Sequence, residues 1–319
     1  MNETQRSYGN ATVKKLDGSQ VEITASVPVE IWEGFRGQAL KNLNGTVTLD
    51  GFRKGNIPEN ILVAKVGDMV ILEEMAELAL PKAYMEILID QKIDAIGRPQ
   101  ISVTKLAKGN PLEFKAVSAV IPEIKLPDYK KLAAEQIKKA GEPDVKVSDK
   151  EIEDAMERLK KMPSPPEIPR DQLSLMLAED KKAAAKEKAR IAIADAIAAE
   201  TAVELPEIMI RSELDRTQAQ FESDIKRMGV KLEDYLKHGK KTLEDIRKEW
   251  VPHAEKKAKL QLILNEIARL ENIKVSPDEI KREADHLVEH YKDADRERAS
   301  AYAETVLTNE KVFKFLEGE

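Results

Sequence analysis

Residues 163–169 read PSPPEIP, four prolines in seven residues. Each proline fixes φ and removes a backbone donor, so neither a helix nor a sheet ladder runs through them. The segment is expected to be a stiff spacer. It also separates unlike sequences. Upstream, short β-prone runs mix with helical periods. Downstream, helical periodicity dominates almost to the end.

At 319 residues, and roughly 100–200 residues per domain, the chain has room for two domains or three. Charged residues make up 34%, above the usual share of about 25%, which fits long, solvated helices. The aromatic set of 6 Phe, 6 Tyr and 2 Trp is too sparse for a base-stacking platform. A net charge of −6 argues against a nucleic-acid coat and leaves room for one local basic contact. Cysteine is absent. That removes disulfides, thiol nucleophiles and thiolate metal sites, and fits a reducing compartment. The start, MNETQRSYGN, lacks the apolar core of a signal peptide, and no stretch has about 18 uncharged apolar residues. The expected address is the cytoplasm, with no membrane partner.

Residues 11–16 and 20–27 are β-prone and flank Asp17-Gly18, a hairpin signal. Val29, Trp32, Phe35, Ala39, Leu40 and Leu43 predict one helix over 28–43, ended by Asn44-Gly45. A second helix is expected over 59–95, with Ile71, Leu72, Met75, Leu78 and Ala79 on one stripe. Ile101–Val103 and Leu112–Val120 read as strands. Segment 1–125 carries 15 basic and 16 acidic residues, so it is nearly neutral. Residues 121–147, with Pro122, Pro127 and Pro143, read as an extended linker. Ser148 to Glu151 has capping-box spacing and opens a helix through Ile152, Ala155, Met156 and Leu159. Long helices are expected over 170–203, 206–228 (stopped at Gly229) and 242–273. Ser276-Pro277-Asp278-Glu279 is a second capping box, with proline at the first helical position. A break over 293–295 precedes a last helix. No internal repeat stands out.

Residues 51–58 carry the most specific signal: Gly51-Phe52-Arg53-Lys54-Gly55-Asn56-Ile57-Pro58. Glycine permits positive φ and close approach of a partner. Arg53 can fork onto carboxylate or phosphate, and Lys54 adds a point charge. Phe52 can fill a pocket on a partner. The plain alternative is a solvated loop with Phe52 tucked into its own core.

This octapeptide resembles the ribosome-docking signature of the trigger factor family, the bacterial ribosome-associated chaperones. Gly51, Phe52, Arg53, Gly55 and Pro58 match the pattern G-F-R-x-G-x-x-P, and Lys54 matches its commonest form. Asn56 stands where many members have a second lysine. The resemblance covers 1–125 well. It extends more loosely over 126–319, through the linker, Glu204-Leu205-Pro206 and the capped helices. It implies an α+β chain: a ribosome-binding α/β domain over 1–125, a linker with one helix over 126–169, and a mostly helical chaperone domain with protruding arms over 170–319. Family members usually carry an FKBP-type prolyl isomerase domain between the linker and the C-terminal helices. Here seven residues, 163–169, occupy that place, against a minimum of about 50 for a domain. No enzymatic activity and no cofactor are therefore expected.

The function implied is that of an ATP-independent chaperone. The 51–58 loop docks at the polypeptide exit of the large ribosomal subunit, on ribosomal protein and ribosomal RNA. The helical part holds apolar segments of nascent chains. Some members self-associate, so a homodimer is among the implied partners. Met176, Met209, Phe221, Met228 and Tyr235 punctuate charged helices and are the candidate client-binding residues. Ordinary packing is the alternative for each.

Other readings carry less weight. His286-Leu287-Val288-Glu289-His290 matches an inverted zinc-protease pattern. Only 29 residues follow it, too few for the distant carboxylate ligand such enzymes need, and the helix is dense with charge. No metal site is expected there. Lys181, Lys182, Lys186 and Lys188 are interleaved with Glu179, Asp180 and Glu187, as on a solvated helix face. A ribosome-independent holdase or assembly scaffold on the same fold remains the functional alternative.

Overall fold

The computed structural model describes residues 6–142, 144–161, 168–290 and 295–318. Most of the expected spacer falls on 162–167, and most of the expected break at 293–295 on 291–294; both lie outside the described residues. The chain forms two compact units. One contains Met1–Pro122 and Glu204–Ala254, the other Glu123–Val203 and Glu255–Glu319.

The first unit begins with a hairpin, β1 (Ala11–Leu16) and β2 (Gln20–Val27). Its connection, Asp17-Gly18-Ser19, places Gly18 and Ser19 at positive φ, 72° and 52°. Along β2, Val21, Ile23, Ala25 and Val27 are buried while the residues between face out. This period of two lets one face meet a core. Four helices follow: α1 (Val29–Glu33), α2 (Arg36–Thr46), α3 (Glu59–Val66) and α4 (Asp68–Gln91). Then come β3 (Ala95–Lys105) and β4 (Leu112–Val120). The sheet order is β1-β2-β4-β3, antiparallel throughout.

Three expectations change here. The single helix over 28–43 is two helices, α1 and α2, separated at Gly34-Phe35, and α2 continues through Asn44-Gly45 to Thr46. The helix over 59–95 is divided by Gly67, whose φ is 81°. The apolar period carries across both breaks because both sides face the same core. Strand β3 extends well beyond Ile101–Val103, since a bulge between Ile96 and Gln100 lets pairing resume. In that bulge Gly97 has φ 73°, and a Cβ there would lie 2.0 Å from Ile208 Cδ1.

Helix α4 covers the sheet with Ile71, Met75, Ala76, Ala79, Leu80, Ala83, Tyr84 and Ile87. Trp32, Phe114, Ile23 and Leu112 are fully buried in the same core. The polar atoms of Trp32, Tyr84 and Ser118 there are paired. Trp32 Nε1 donates to Asn110 O at 3.0 Å, and the Tyr84 and Ser118 hydroxyls share a hydrogen bond of 2.7 Å.

The second unit corrects the linker expectation. Residues 121–147 contain α5 (Tyr129–Ala140), capped by Asp128 Oδ1, which accepts from Lys131 N at 3.1 Å, and closed by Gly141 at φ 66°. Helices α6 (Asp149–Lys160) and α7 (Arg170–Glu200) follow. Both expected capping boxes form: Ser148 N donates to Glu151 and Ser276 N to Glu279, each at 2.8 Å. Lys181 and the Ser148 groups together hold the Glu151 carboxyl down to about 2. Helices α8 (Glu207–Arg227) and α9 (Leu232–Gly239) belong to the first unit, α10 (Leu243–Leu270) begins in the first and ends in the second, and α11 (Pro277–His290) and α12 (Arg296–Glu317) belong to the second. The pattern had not signalled α9, and α7 and α10 stop about a turn earlier than expected. The core of this unit gathers Ile193 and Ile197 from α7, Ile263, Leu264 and Ile267 from α10, and Val312 and Leu316 from α12. At its edge Arg190 forks onto Glu310 at 2.6 Å and Glu317 at 2.7 Å. Among the described residues no helix is long and apolar enough to cross a membrane.

The α4–sheet core predicts a severe cost for Phe114→Ala. With Trp250→Phe as background, Trp32 fluorescence reports urea unfolding of this unit in the full chain. The expected loss is about 3–5 kcal/mol, the usual range for emptying a buried phenylalanine site. A loss under about 1 kcal/mol would place Phe114 outside a close-packed core.

Candidate functional site

The 51–58 loop joins α2 to α3 through two consecutive tight turns. In the first, Phe52 N donates to Leu49 O at 3.1 Å. In the second, Asn56 N donates to Arg53 O at 3.0 Å. Each turn has glycine at its third position, Gly51 at φ 86° and Gly55 at φ 85°. A side chain there would strain the backbone, so the glycine spacing follows from the turn chemistry. Pro58 then caps α3 with φ −56°, and its carbonyl accepts from Leu62 N at 2.9 Å.

Burial within the loop is sharply divided. Ile57 is 3% exposed and belongs to the α4–sheet core. Phe52 is 37% exposed, so the apolar anchor of the loop is Ile57 and the aromatic ring stays accessible. Arg53, Lys54 and Asn56 are exposed. Among the described residues neither the Arg53 nor the Lys54 side chain has an ion-pair or hydrogen-bond partner. Two free cations and a half-open ring therefore share one tip bounded by two hydrogen-bonded turns.

Asn44, on the last turn of α2, holds the base of this tip. Its Nδ2 donates to Ile57 O at 2.8 Å, its Oδ1 accepts from Ile57 N at 3.0 Å, and its backbone oxygen accepts from Gly55 N at 2.9 Å. From the sequence, Asn44 is expected only to end a helix. An asparagine before glycine is a common turn signal, and nothing local shows that its amide reaches Ile57.

The client-binding candidates separate. Phe221, half-buried on α8, meets Tyr235 of α9 edge to face at 5.5 Å. On its other side it meets Trp250 of α10 at 5.2 Å. Trp250 was missed; it follows the charged run Arg247-Lys248-Glu249, and only the fold brings it to Phe221. Met228 and Val230 are exposed just after α8. Arg247 ties α10 to α8 by its ion pair with Asp215 at 2.7 Å and a hydrogen bond to Gln218. Met209 is half-buried near the start of α8. Met176 is exposed on α7, in the other compact unit.

His286 and His290 stack edge to face at 4.5 Å on α11. Among the described residues no group of three or more His, Asp or Glu side chains could hold a metal ion there.

Comparison with known proteins covers nearly the whole chain. The family model of the bacterial trigger factor protein matches residues 10–159, and that of the trigger factor C-terminus matches 167–316. Only residues 160–166 lie between the two matches. The trigger factor of Moorella thermoacetica is 24% identical over 389 positions, covering 87% of this chain and 86% of the relative. That alignment is longer than the 319-residue chain, so part of the relative stands opposite no residue here. The Streptomyces avermitilis trigger factor is 34% identical over 150 residues, 47% of this chain and 31% of the relative. A solved structure of the trigger factor chaperone, concerned with promiscuous substrate recognition in folding and assembly, superposes with a TM-score of 0.55. It has 16% identity and covers 98% of this chain and 100% of that one. With its N-terminal and C-terminal halves both matched, and the same α+β fold, this chain belongs to the trigger factor family of chaperones.

Proposed function

We propose that the chain is an ATP-independent chaperone that docks beside the polypeptide exit of the large ribosomal subunit through residues 51–58. Once docked, it holds apolar segments of emerging chains. The observation that carries this reading is the loop tip: Phe52 accessible, Arg53 and Lys54 unpaired, all on two glycine turns anchored by buried Ile57. Unpaired cations lose no internal ion pair when they meet phosphate, and they release counterions there. An exposed ring on a rigid turn can enter a partner pocket at low entropic cost. Gly51, Gly55 and Pro58 shape the loop rather than contact the partner. The site of action is the cytoplasm.

Client holding is assigned to the Phe221–Tyr235–Trp250 cluster and to exposed Met228 at the end of α8, and more weakly to Met209 and Met176. Edge-to-face rings offer apolar area without a deep pocket, which suits many sequences and weak binding. Release then needs no nucleotide. With residues 160–166 alone between the matched halves, the proposed function has no isomerase step and no cofactor. A second reading, a ribosome-independent holdase or assembly scaffold, draws on Asn56, which is exposed and neutral at the loop tip.

Two experiments test these assignments. Ribosome co-sedimentation at fixed, near-physiological salt compares the intact chain with Phe52→Ala/Arg53→Ala/Lys54→Ala. The intact chain pellets and the variant stays in the supernatant. Removing the two cations alone flattens the dependence of log affinity on log salt by about one to two. If the intact chain does not pellet, the scaffold reading replaces docking. For client holding, Phe221→Ala/Trp250→Ala weakens binding of an unfolded apolar polypeptide roughly fivefold, the equivalent of about 1 kcal/mol. Unchanged binding would return the cluster to ordinary packing.

A further inference from the structure

The three bonds that Asn44 makes to the loop differ from everything else that holds it. Among the described residues the Gly51 turn is closed only by its own backbone, from Phe52 N to Leu49 O. The exposed Arg36–Glu59 pair, at 3.4 Å, lies beyond Pro58 and is weak. Among the described residues Asn44 alone reaches from a helix into the second turn, and it holds both sides, Gly55 through its backbone and Ile57 through its amide. That helix is itself tied to α4, where Asn42 Nδ2 donates to Glu74 at 2.7 Å.

The chemistry is specific. Ile57 presents one N–H and one C=O to the same side chain, so the partner must supply an acceptor and a donor a short stem apart. Asparagine does this as a strand residue would. Aspartate is the same size and keeps the acceptor, but it turns the donor into a negative oxygen facing the Ile57 carbonyl.

We propose that Asn44 is the positioning residue of the docking loop: its amide fixes the second turn, so that Arg53 and Lys54 are presented in one geometry. This rests on the docking reading above. Asn44 touches no ribosomal group itself. It acts by raising the fraction of molecules whose loop is competent, and apparent affinity scales with that fraction. Losing one or both amide bonds corresponds to about tenfold weaker docking.

The test uses the full chain, with Asn44→Ala and Asn44→Asp beside the Phe52→Ala/Arg53→Ala/Lys54→Ala variant. Ribosome affinity is measured across a salt series, amide exchange at Gly55 and Ile57, and melting of the whole chain. Both Asn44 variants are expected to bind about tenfold more weakly, with faster exchange at Gly55 and Ile57 and little change in melting. Their salt slope stays at the wild-type value, because both cations remain. A merely structural residue would lower melting and leave the affinity of the folded fraction unchanged. If the Asn44 variants bind like wild type while the loop-tip variant does not, the positioning role fails and docking stands. If the loop-tip variant also binds like wild type, the docking reading itself has failed. Should Asn44→Ala not fold, Asn44→Asp carries the test; an unfolded Asn44→Asp would overturn the proposal, since Asn44 would then hold the domain.

Discussion

The packing of α4 against one face of the four-stranded sheet is the constraint on which the proposed docking loop depends. Strands β2 and β4 turn Val21, Ile23, Val27, Leu112 and Phe114 to that face, and α4 returns Ile71, Met75, Ala83 and Ile87. Ile57 is part of this core although it belongs to the loop. Burying one residue of a loop fixes the path of its neighbours. With Ile57 inside, Phe52 is not needed for packing and stays accessible. The two glycines then turn the chain back on itself so that the cations end at the tip. The entropy of ordering the tip is met when the core forms, which leaves less to lose on binding.

The helical cluster is built on a different principle. Phe221 is held between two rings, yet Tyr235 and Met228 remain open to solvent. The helices around it are charged, and Arg247 joins two of them through Asp215. Such a surface offers apolar contact without a shaped pocket. Low selectivity and weak contacts would suit the proposed holding of chains that must be released to fold. The contrast between a rigid tip and an adaptable patch matches the two tasks proposed: one fixed partner and many varied ones.

Much of this could be read from residues alone, and the failures have physical causes. The hairpin 11–16 and 20–27, and strand 112–120, follow from β-prone runs and an Asp-Gly turn, and they agree with the structure to the residue. Both capping boxes were legible because serine, glutamate and spacing are local signals. Helix α5 was hidden by prolines at 122, 127 and 143, although Asp128 and Gly141 are ordinary cap residues. The helix breaks at Gly34 and Gly67 were missed because the apolar stripe continues across them. In the loop, the glycines and cations were visible at once. The roles of Ile57 and Asn44 were not, since both depend on contacts made only after α2 and α3 are in place. Trp250 was missed likewise: its meeting with Phe221 depends on how α8 and α10 pair.

The central claim is that one chain meets the ribosome with its loop and the nascent polypeptide with its aromatic cluster. The most direct test places a photo-crosslinking amino acid at Phe52 in one sample and at Tyr235 in another, on ribosomes stalled with an apolar nascent chain. The account predicts that position 52 links to ribosomal components of the exit and position 235 to the nascent chain. Nascent-chain products at both positions, or no ribosomal product at position 52, would contradict it.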